Sequence, residues 1–209
     1  MKNFRLLIIA LLGVISITSC MKNDTIDDGW DYAKEKARYD STMNKQKPIL
    51  AAYAAENYSD NRYYNDSVGM YLDILTPATD ESYEYVLQGS SFISPQITVK
   101  YKGKLLLTGE VFEDATGTAQ QFYLNPNSNI NVTQAWIRAF LPRNVTINGT
   151  DILYGLVPNG IKKGTKFKFI APSPIVYDNR ERKDNSGKVI VPKDSPVEYE
   201  VEVIDIKNI

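Results

Sequence analysis

No histidine occurs in this chain of 209 residues, and cysteine occurs once, at Cys20. The first absence excludes serine–histidine–aspartate triads, cysteine–histidine dyads and histidine-ligated metals. The second excludes an intrachain disulfide. Net charge is nearly absent too: 24 Lys and Arg against 25 Asp and Glu leave a formal −1. That balance offers no basic face of the kind nucleic acid requires. No apolar run reaches the ~20 residues that cross a bilayer as a helix. Internal repeats and low-complexity tracts are missing as well. These absences remove whole enzyme classes, and no metal or cofactor is expected.

What is present begins with a leader. Lys2 and Arg5 precede an uncharged apolar stretch from Leu6 to Ile17, which ends in Ile17-Thr18-Ser19-Cys20. A positive flank, a short apolar run and small residues before a cut describe a secretory signal peptide. The segment resembles a bacterial lipobox, with Ile17 in place of the usual Leu. The expectation is that residues 1–19 are removed and Cys20 is lipidated. Each buried acyl CH₂ contributes about 0.8 kcal/mol, and several chains give a stable anchor. The protein is thus expected in the cell envelope, lipid-anchored to the outer membrane, with no free thiol to act as nucleophile.

Residues 20–28 are polar and acidic and read as a tether. Residues 29–68 read as a helical extension and linker. Trp30, Ala33 and Ala37 keep helical spacing. Pro48 then interrupts and suits the first turn of a new helix. Ile49, Leu50, Tyr53 and Ala54 form a second apolar stripe. The pattern predicts two short helices, about 29–45 and 47–58, acting as a packing arm, with dimerisation or client binding as the alternative role.

After Gly69 the period becomes that of strands, and residues 69–209 read as one domain. Candidate strands are 70–75, 82–87, 96–106, 120–124, 165–171 and 197–206. Ile97, Val99 and Tyr101 alternate with polar residues, as do Val197, Tyr199, Val201 and Val203. Such alternation predicts a sheet with one covered and one wet face. One short helix is predicted at 132–140. The fold class is α+β: an antiparallel sheet around one short helix, with an N-terminal helical extension.

Two stretches carry a family resemblance. The first is Val99-Lys100-Tyr101-Lys102-Gly103-Lys104-Leu105, followed by Gly109-Glu110-Val111-Phe112-Glu113. The second is Ile170-Ala171-Pro172-Ser173-Pro174-Ile175-Val176-Tyr177, then Ile190-Val191-Pro192 and the strand from Val197 to Ile206. In order and spacing they resemble the FKBP-type peptidyl-prolyl isomerases, over roughly residues 69–206. The resemblance implies an FKBP-like sheet and a shallow aromatic pocket. Tyr101, Phe112 and Glu113 would stand on its walls, with Trp136 as its floor, on a helix beginning at Val132. Val132 and Thr133 would receive substrate backbone. Tyr177 would offer its hydroxyl to a substrate carbonyl. Ile190 and Val191 would close the rim, and Tyr199 would fill the place of the last pocket Phe.

Departures from the family pattern are Glu113 for Asp, Gln120 for an aromatic, Asp178 for Gly and an insertion at 141–160. An alternative register would put Tyr154 in place of Trp136. Gly155 and Pro158 fit a helix poorly and favour Trp136. Apart from the resemblance, these aromatics read equally as core, since the chain has 14 Tyr.

The function implied is isomerisation of proline-containing segments of exported proteins. The alternative is a non-catalytic FKBP-like module that binds peptide or protein. Weaker signals remain. Glu113-Asp114 reads as a solvated loop pair rather than an acid–base couple. Thr108 to Gly117 lacks a phosphate-loop Lys. Asp24-Thr25-Ile26, Asp40-Ser41-Thr42 and Asp66-Ser67-Val68 resemble the O-glycosylation sequon of Bacteroides-type bacteria. Asn131 and Asn144 head Asn-x-Thr triplets, which mean little in a bacterium. Arg180 to Asp184 is a charge run in the loop after Tyr177 and reads as a solvated loop within reach of substrate.

Overall fold

Residue alternation along three long strands sets the architecture of the computed structural model, which describes residues 31–89, 91–125, 132–147 and 149–208. Residues 1–30, with Cys20, Asp24 and Trp30, and residue Asn131 lie outside the described residues. The chain divides into two units, Met1–Glu35 and Lys36–Ile209. Of the first, the described part is a helix start, where Asp31 Oδ1 accepts the Lys34 N–H at 3.0 Å.

Helix α1 is continuous over Tyr32–Asn57, with Pro48 inside it. The two predicted helices are therefore one. Pro48 removes a single helix hydrogen bond. On either side of it Met43, Gln46, Leu50 and Ala54 are buried and hold both halves in line.

The strands are β1 (Tyr63–Asn65), β2 (Met70–Thr76), β3 (Leu87–Gln88), β4 (Ser91–Phe92), β5 (Gln96–Leu105), β6 (Val111–Asp114), β7 (Gln120–Tyr123), β8 (Asn144–Ile147), β9 (Thr150–Leu153), β10 (Lys166–Ala171), β11 (Arg182–Lys183), β12 (Val189–Val191) and β13 (Val197–Lys207). Helix α2 spans Gln134–Phe140. The main sheet runs β1-β2-β10-β13-β5-β6, and β7 also pairs with β5. Its pairings are antiparallel. The predicted fold class holds. Residues 82–86 form no strand; Tyr83 and Tyr85 are instead tied singly, by hydroxyls bonded to Asn208 Oδ1 and the Ile161 carbonyl. The 141–160 insertion contains the β8–β9 hairpin.

The inner face of the sheet packs on α2. Val99, Tyr101, Phe167, Phe169, Tyr199 and Val201 meet Trp136, Ile137 and Phe140 in the main core. The outer face is not simply wet, as the alternation suggests. Leu50, Ala54 and Tyr58 cover Ile170 and Leu106, making a second apolar cluster. Beyond it the face is a charge ladder. Glu200 lies between Lys168 and Lys102, and Glu202 between Lys166 and Lys100. Where the ladder passes under the helical extension, Glu198 is buried. It accepts the Tyr53 and Tyr58 hydroxyls at 2.9 and 3.0 Å and pairs with Lys104 at 2.6 Å. A buried carboxylate persists because its oxygens are bonded.

Candidate functional site

A cavity of about 710 Å³ opens between the sheet, α2 and the loop after β10. Its floor is Trp136, 4% exposed. Ring centroids of Tyr101, Tyr199 and Phe122 lie 5.2, 5.1 and 5.8 Å from the indole, tilted or edge-on. These are the distances and angles that ring quadrupoles favour. Phe169 and Phe140 back the indole at 5.9 and 6.0 Å. The helix starts at Gln134, two residues later than predicted, with Thr133 as its cap. Thr133 Oγ1 is a buried atom with no hydrogen-bond partner among the described residues, and it stands on the cavity wall.

One side of the cavity is polar but closed on itself. The Tyr101 hydroxyl donates to Glu113 Oε1 at 2.6 Å. Arg182 Nη1 donates to Glu113 Oε2 and, at 3.1 Å, to the Tyr177 hydroxyl oxygen. The Tyr177 and Tyr199 hydroxyls are 2.8 Å apart, and either can donate. When Tyr199 donates, Tyr177 accepts two bonds and keeps its own proton for the cavity.

Charge states follow from these contacts. Desolvation pushes the Glu113 carboxyl up, but the bonds from Arg182 and Tyr101 and the Arg182 charge outweigh it, so its pKa is lowered from 4.5. The bond to Glu113 raises Arg182 further above its ordinary range. Desolvation raises Tyr101, Tyr177 and Tyr199. All three phenols therefore remain protonated donors at neutral pH.

Gly103 shows why the chain needs a glycine between Tyr101 and Leu105. A Cβ there would lie 2.7 Å from the Phe112 ring and 2.8 Å from the Tyr199 ring. Gly103→Ala is expected to cost about 1–3 kcal/mol by overpacking and to displace the cavity's back wall. Urea denaturation with the aromatic NMR spectrum checks this; an unchanged midpoint and spectrum would show that the wall has slack.

The structure brings Tyr101, Glu113, Trp136, Tyr177, Val132, Thr133 and Tyr199 together around the cavity. Phe112, Ile190 and Val191 are not on its wall. Phe112 is buried edge-on against Tyr177 and Tyr199. The Arg182 guanidinium lies 5.8 Å from its ring centre and screens it. Val191 is fully buried and pairs with Arg182 across the β11–β12 hairpin. The hairpin thus presents Arg182, not its apolar strand, to the cavity. Tyr154 lies elsewhere, between Phe92 and the Arg138 guanidinium.

Sequence reasoning missed Phe122, Ile175 and Val176 as wall residues, and read Arg182 only within a solvated charge run. Phe122 was one alternation away from Gln120, where an aromatic was sought; Gln120 is exposed. Ile175 and Val176 were legible inside the Pro172–Tyr177 motif. Arg182 was legible only as part of the 180–184 charge run within reach of substrate; its ion pair was not, because its partner Glu113 is 69 residues away.

The profile of the FKBP-type peptidyl-prolyl cis-trans isomerase family matches residues 93–204, more than half of the chain. Among solved structures, a peptidyl-prolyl cis-trans isomerase from Pseudomonas syringae pv. tomato is similar with a TM-score of 0.53. It is 17% identical, over 80% of this chain and 95% of that one. FkpA from Escherichia coli, also 17% identical, is similar over 98% of this chain and 82% of its own, with a TM-score of 0.49. A search of curated proteins found no match. At 17% identity the likeness to the Pseudomonas structure speaks to the fold alone.

Proposed function

The chain belongs to the FKBP-type peptidyl-prolyl cis-trans isomerase family, and from that premise we propose that it is an envelope-anchored isomerase acting on proline-containing segments of exported proteins. The observation that carries the catalytic reading is the indole floor of Trp136, walled by Tyr101, Phe122 and Tyr199 and open to a cavity that a prolyl segment can enter.

The barrier to be lowered is amide resonance, about 18–20 kcal/mol. Planar resonance places charge on oxygen and nitrogen, and an aromatic cavity solvates that charge poorly. The twisted amide has less charge separation and is favoured relative to the planar one. The aromatic floor suits the proline ring. The ion pair of Glu113 and Arg182 is internally neutralised, so it adds little net field. The Tyr177 hydroxyl would donate to the carbonyl oxygen before the proline.

None of these groups changes charge between about pH 6 and pH 9. The rate constant kcat/KM is accordingly expected to be flat across that window. A bell-shaped profile there would mean that the isomerisation runs through a titrating group outside this cavity.

The anchoring reading is supported by the sequence alone: the leader of residues 1–19, Cys20, and the Asp24, Asp40 and Asp66 triplets that resemble Bacteroides-type sequons. Mass analysis of the amino terminus after expression in an envelope-competent host tests it. A diacylated or triacylated Cys20 is expected; an unprocessed Met1 or an unmodified Cys20 would overturn it. Refolding of a protein whose slow phase is prolyl isomerisation tests the substrate class. That phase, tens to hundreds of seconds uncatalysed, should shorten with added protein.

A second reading, a non-catalytic module that holds proline segments, is favoured by one observation. The Tyr177 hydroxyl is already bonded to Arg182 and Tyr199. Peptide binding without exchange catalysis would select it.

A further inference from the structure

Tyr177 sits in a segment with little regular structure of its own. A short 3₁₀ turn at Ser173–Ile175 precedes it. Asp178 follows in the left-handed region, with φ of +55°, a conformation that costs energy for any residue but glycine. Local bonds from Val176 N–H and Asp178 N–H to the Ser173 carbonyl, at 2.9 and 2.7 Å, close the turn. The segment is then held from outside, by helix α1.

The helix grips it at two levels. Arg38 makes a bidentate pair with Asp178, Nη1 to Oδ1 at 2.9 Å and Nη2 to Oδ2 at 2.7 Å. Just over two turns further along, the buried amide of Gln46 donates to Ser173 Oγ at 2.9 Å and to the Asp194 carbonyl at 2.8 Å. Its oxygen accepts the Ser173 N–H at 2.7 Å. The Asp194 N–H in turn donates to the Asp178 carbonyl at 3.0 Å. Both ends of the segment that carries Ile175, Val176 and Tyr177 into the cavity are thereby fixed by side chains of the helical extension. A fork-to-fork arginine–carboxylate pair sets direction as well as distance.

We propose that Arg38 and Gln46 are positioning residues for Tyr177, so that the helical extension is a working part of the site rather than only a cover for the outer sheet face. The proposal rests on the isomerase reading. Its physical basis is that hydrogen-bond donation to a twisting amide tolerates little misplacement; a shift of about 1 Å can cost orders of magnitude in rate. A loop with few internal bonds needs that outside support.

The test is a double-mutant cycle on the full chain, with Arg38→Ala, Asp178→Gly and the double variant. Glycine at 178 keeps the left-handed backbone and removes the carboxylate, but it also frees the backbone, so Arg38→Ala is the variant that isolates the side-chain contact. Turnover of a proline tetrapeptide is read as kcat and KM separately. Amide hydrogen exchange is read at Val176 and Asp178 and, as the internal standard, along β13. Each single variant is expected to lower kcat by about three- to tenfold with KM nearly unchanged, and the double variant to lower it no further, because the two side chains act through one contact. Arg38→Lys should restore part of the loss. Exchange should quicken at Val176 and Asp178 and stay as it was in β13. Full kcat in Arg38→Ala, or losses that add in the double variant, would overturn the proposal; so would loss of protection in β13 equal to that in the loop. A parent without turnover overturns the isomerase reading instead. The exchange comparison needs no turnover, so an undisturbed loop in Arg38→Ala would then still refute the positioning role.

Discussion

Replacing Trp136 by alanine is expected to destabilise the protein by about 3–5 kcal/mol and to abolish measurable isomerisation. The indole touches both halves of the account. On one side it meets Phe140 and Phe169 in the core; on the other it meets Tyr101, Phe122 and Tyr199 at the cavity. Removing it leaves a void continuous with the cavity, which the fixed strands β5 and β13 cannot close. Urea denaturation gives the stability and exchange NMR the rate. Trp136→Phe, which keeps an aromatic face, should recover most of the stability and some of the rate. A Trp136→Ala variant with unchanged midpoint and rate would show that the floor lies elsewhere.

Glu113→Ala is the second large effect, and it acts through charge. It strands the Arg182 guanidinium against Phe112 and Tyr177 and takes the acceptor from the Tyr101 hydroxyl. A fully buried pair broken on one side costs about 3–5 kcal/mol. Here the side chains are 27% and 33% exposed, and water screens the stranded cation, so about 1–3 kcal/mol is expected. A fall of about tenfold in kcat/KM, equivalent to about 1.4 kcal/mol, should accompany it. Replacing both partners, Glu113→Gln with Arg182→Met, should cost less than Glu113→Ala alone.

The same pair has a pH signature. The Glu113 pKa is lowered on folding, so its stabilisation is complete above the ordinary value of 4.5 and disappears as pH falls through the folded value. Urea midpoints from neutral pH into acid should therefore fall below about pH 4.5, and fall less in Glu113→Gln. Identical acid slopes for parent and variant would mean that Glu113 gains nothing from Arg182.

The inner face of the sheet was legible because alternation reports burial directly. Val99 and Tyr101 on β5, and Val197 to Val203 on β13, lie where their period put them. Trp136 was legible by its i, i+4 partner Phe140. The outer face was not. Ile170 and Leu106 sit inside short apolar runs, Phe169-Ile170-Ala171 and Leu105-Leu106-Leu107, which do not show which residue faces outward, and Leu50 and Ala54, which cover them, are over a hundred positions from Ile170. Pro48 misled for a related reason. The rule that proline breaks a helix is local, whereas the buried Met43, Gln46, Leu50 and Ala54 keep α1 continuous through tertiary contact. The polar side of the site was hidden in the same way. Arg38 and Gln46 lay in the helical extension with no signal of their own, Arg182 lay in a charge run, and only the fold brings each to its partner.

The most direct test of the central claim is cis-to-trans exchange of a proline tetrapeptide, followed by protease-free NMR with the parent protein and with Tyr177→Phe. The account predicts catalysis by the parent and a loss of about fivefold or more in the variant, the worth of one hydrogen bond of about 1 kcal/mol, with the fold intact. Absence of exchange catalysis from a folded parent would contradict it and leave the cavity as a binding site only.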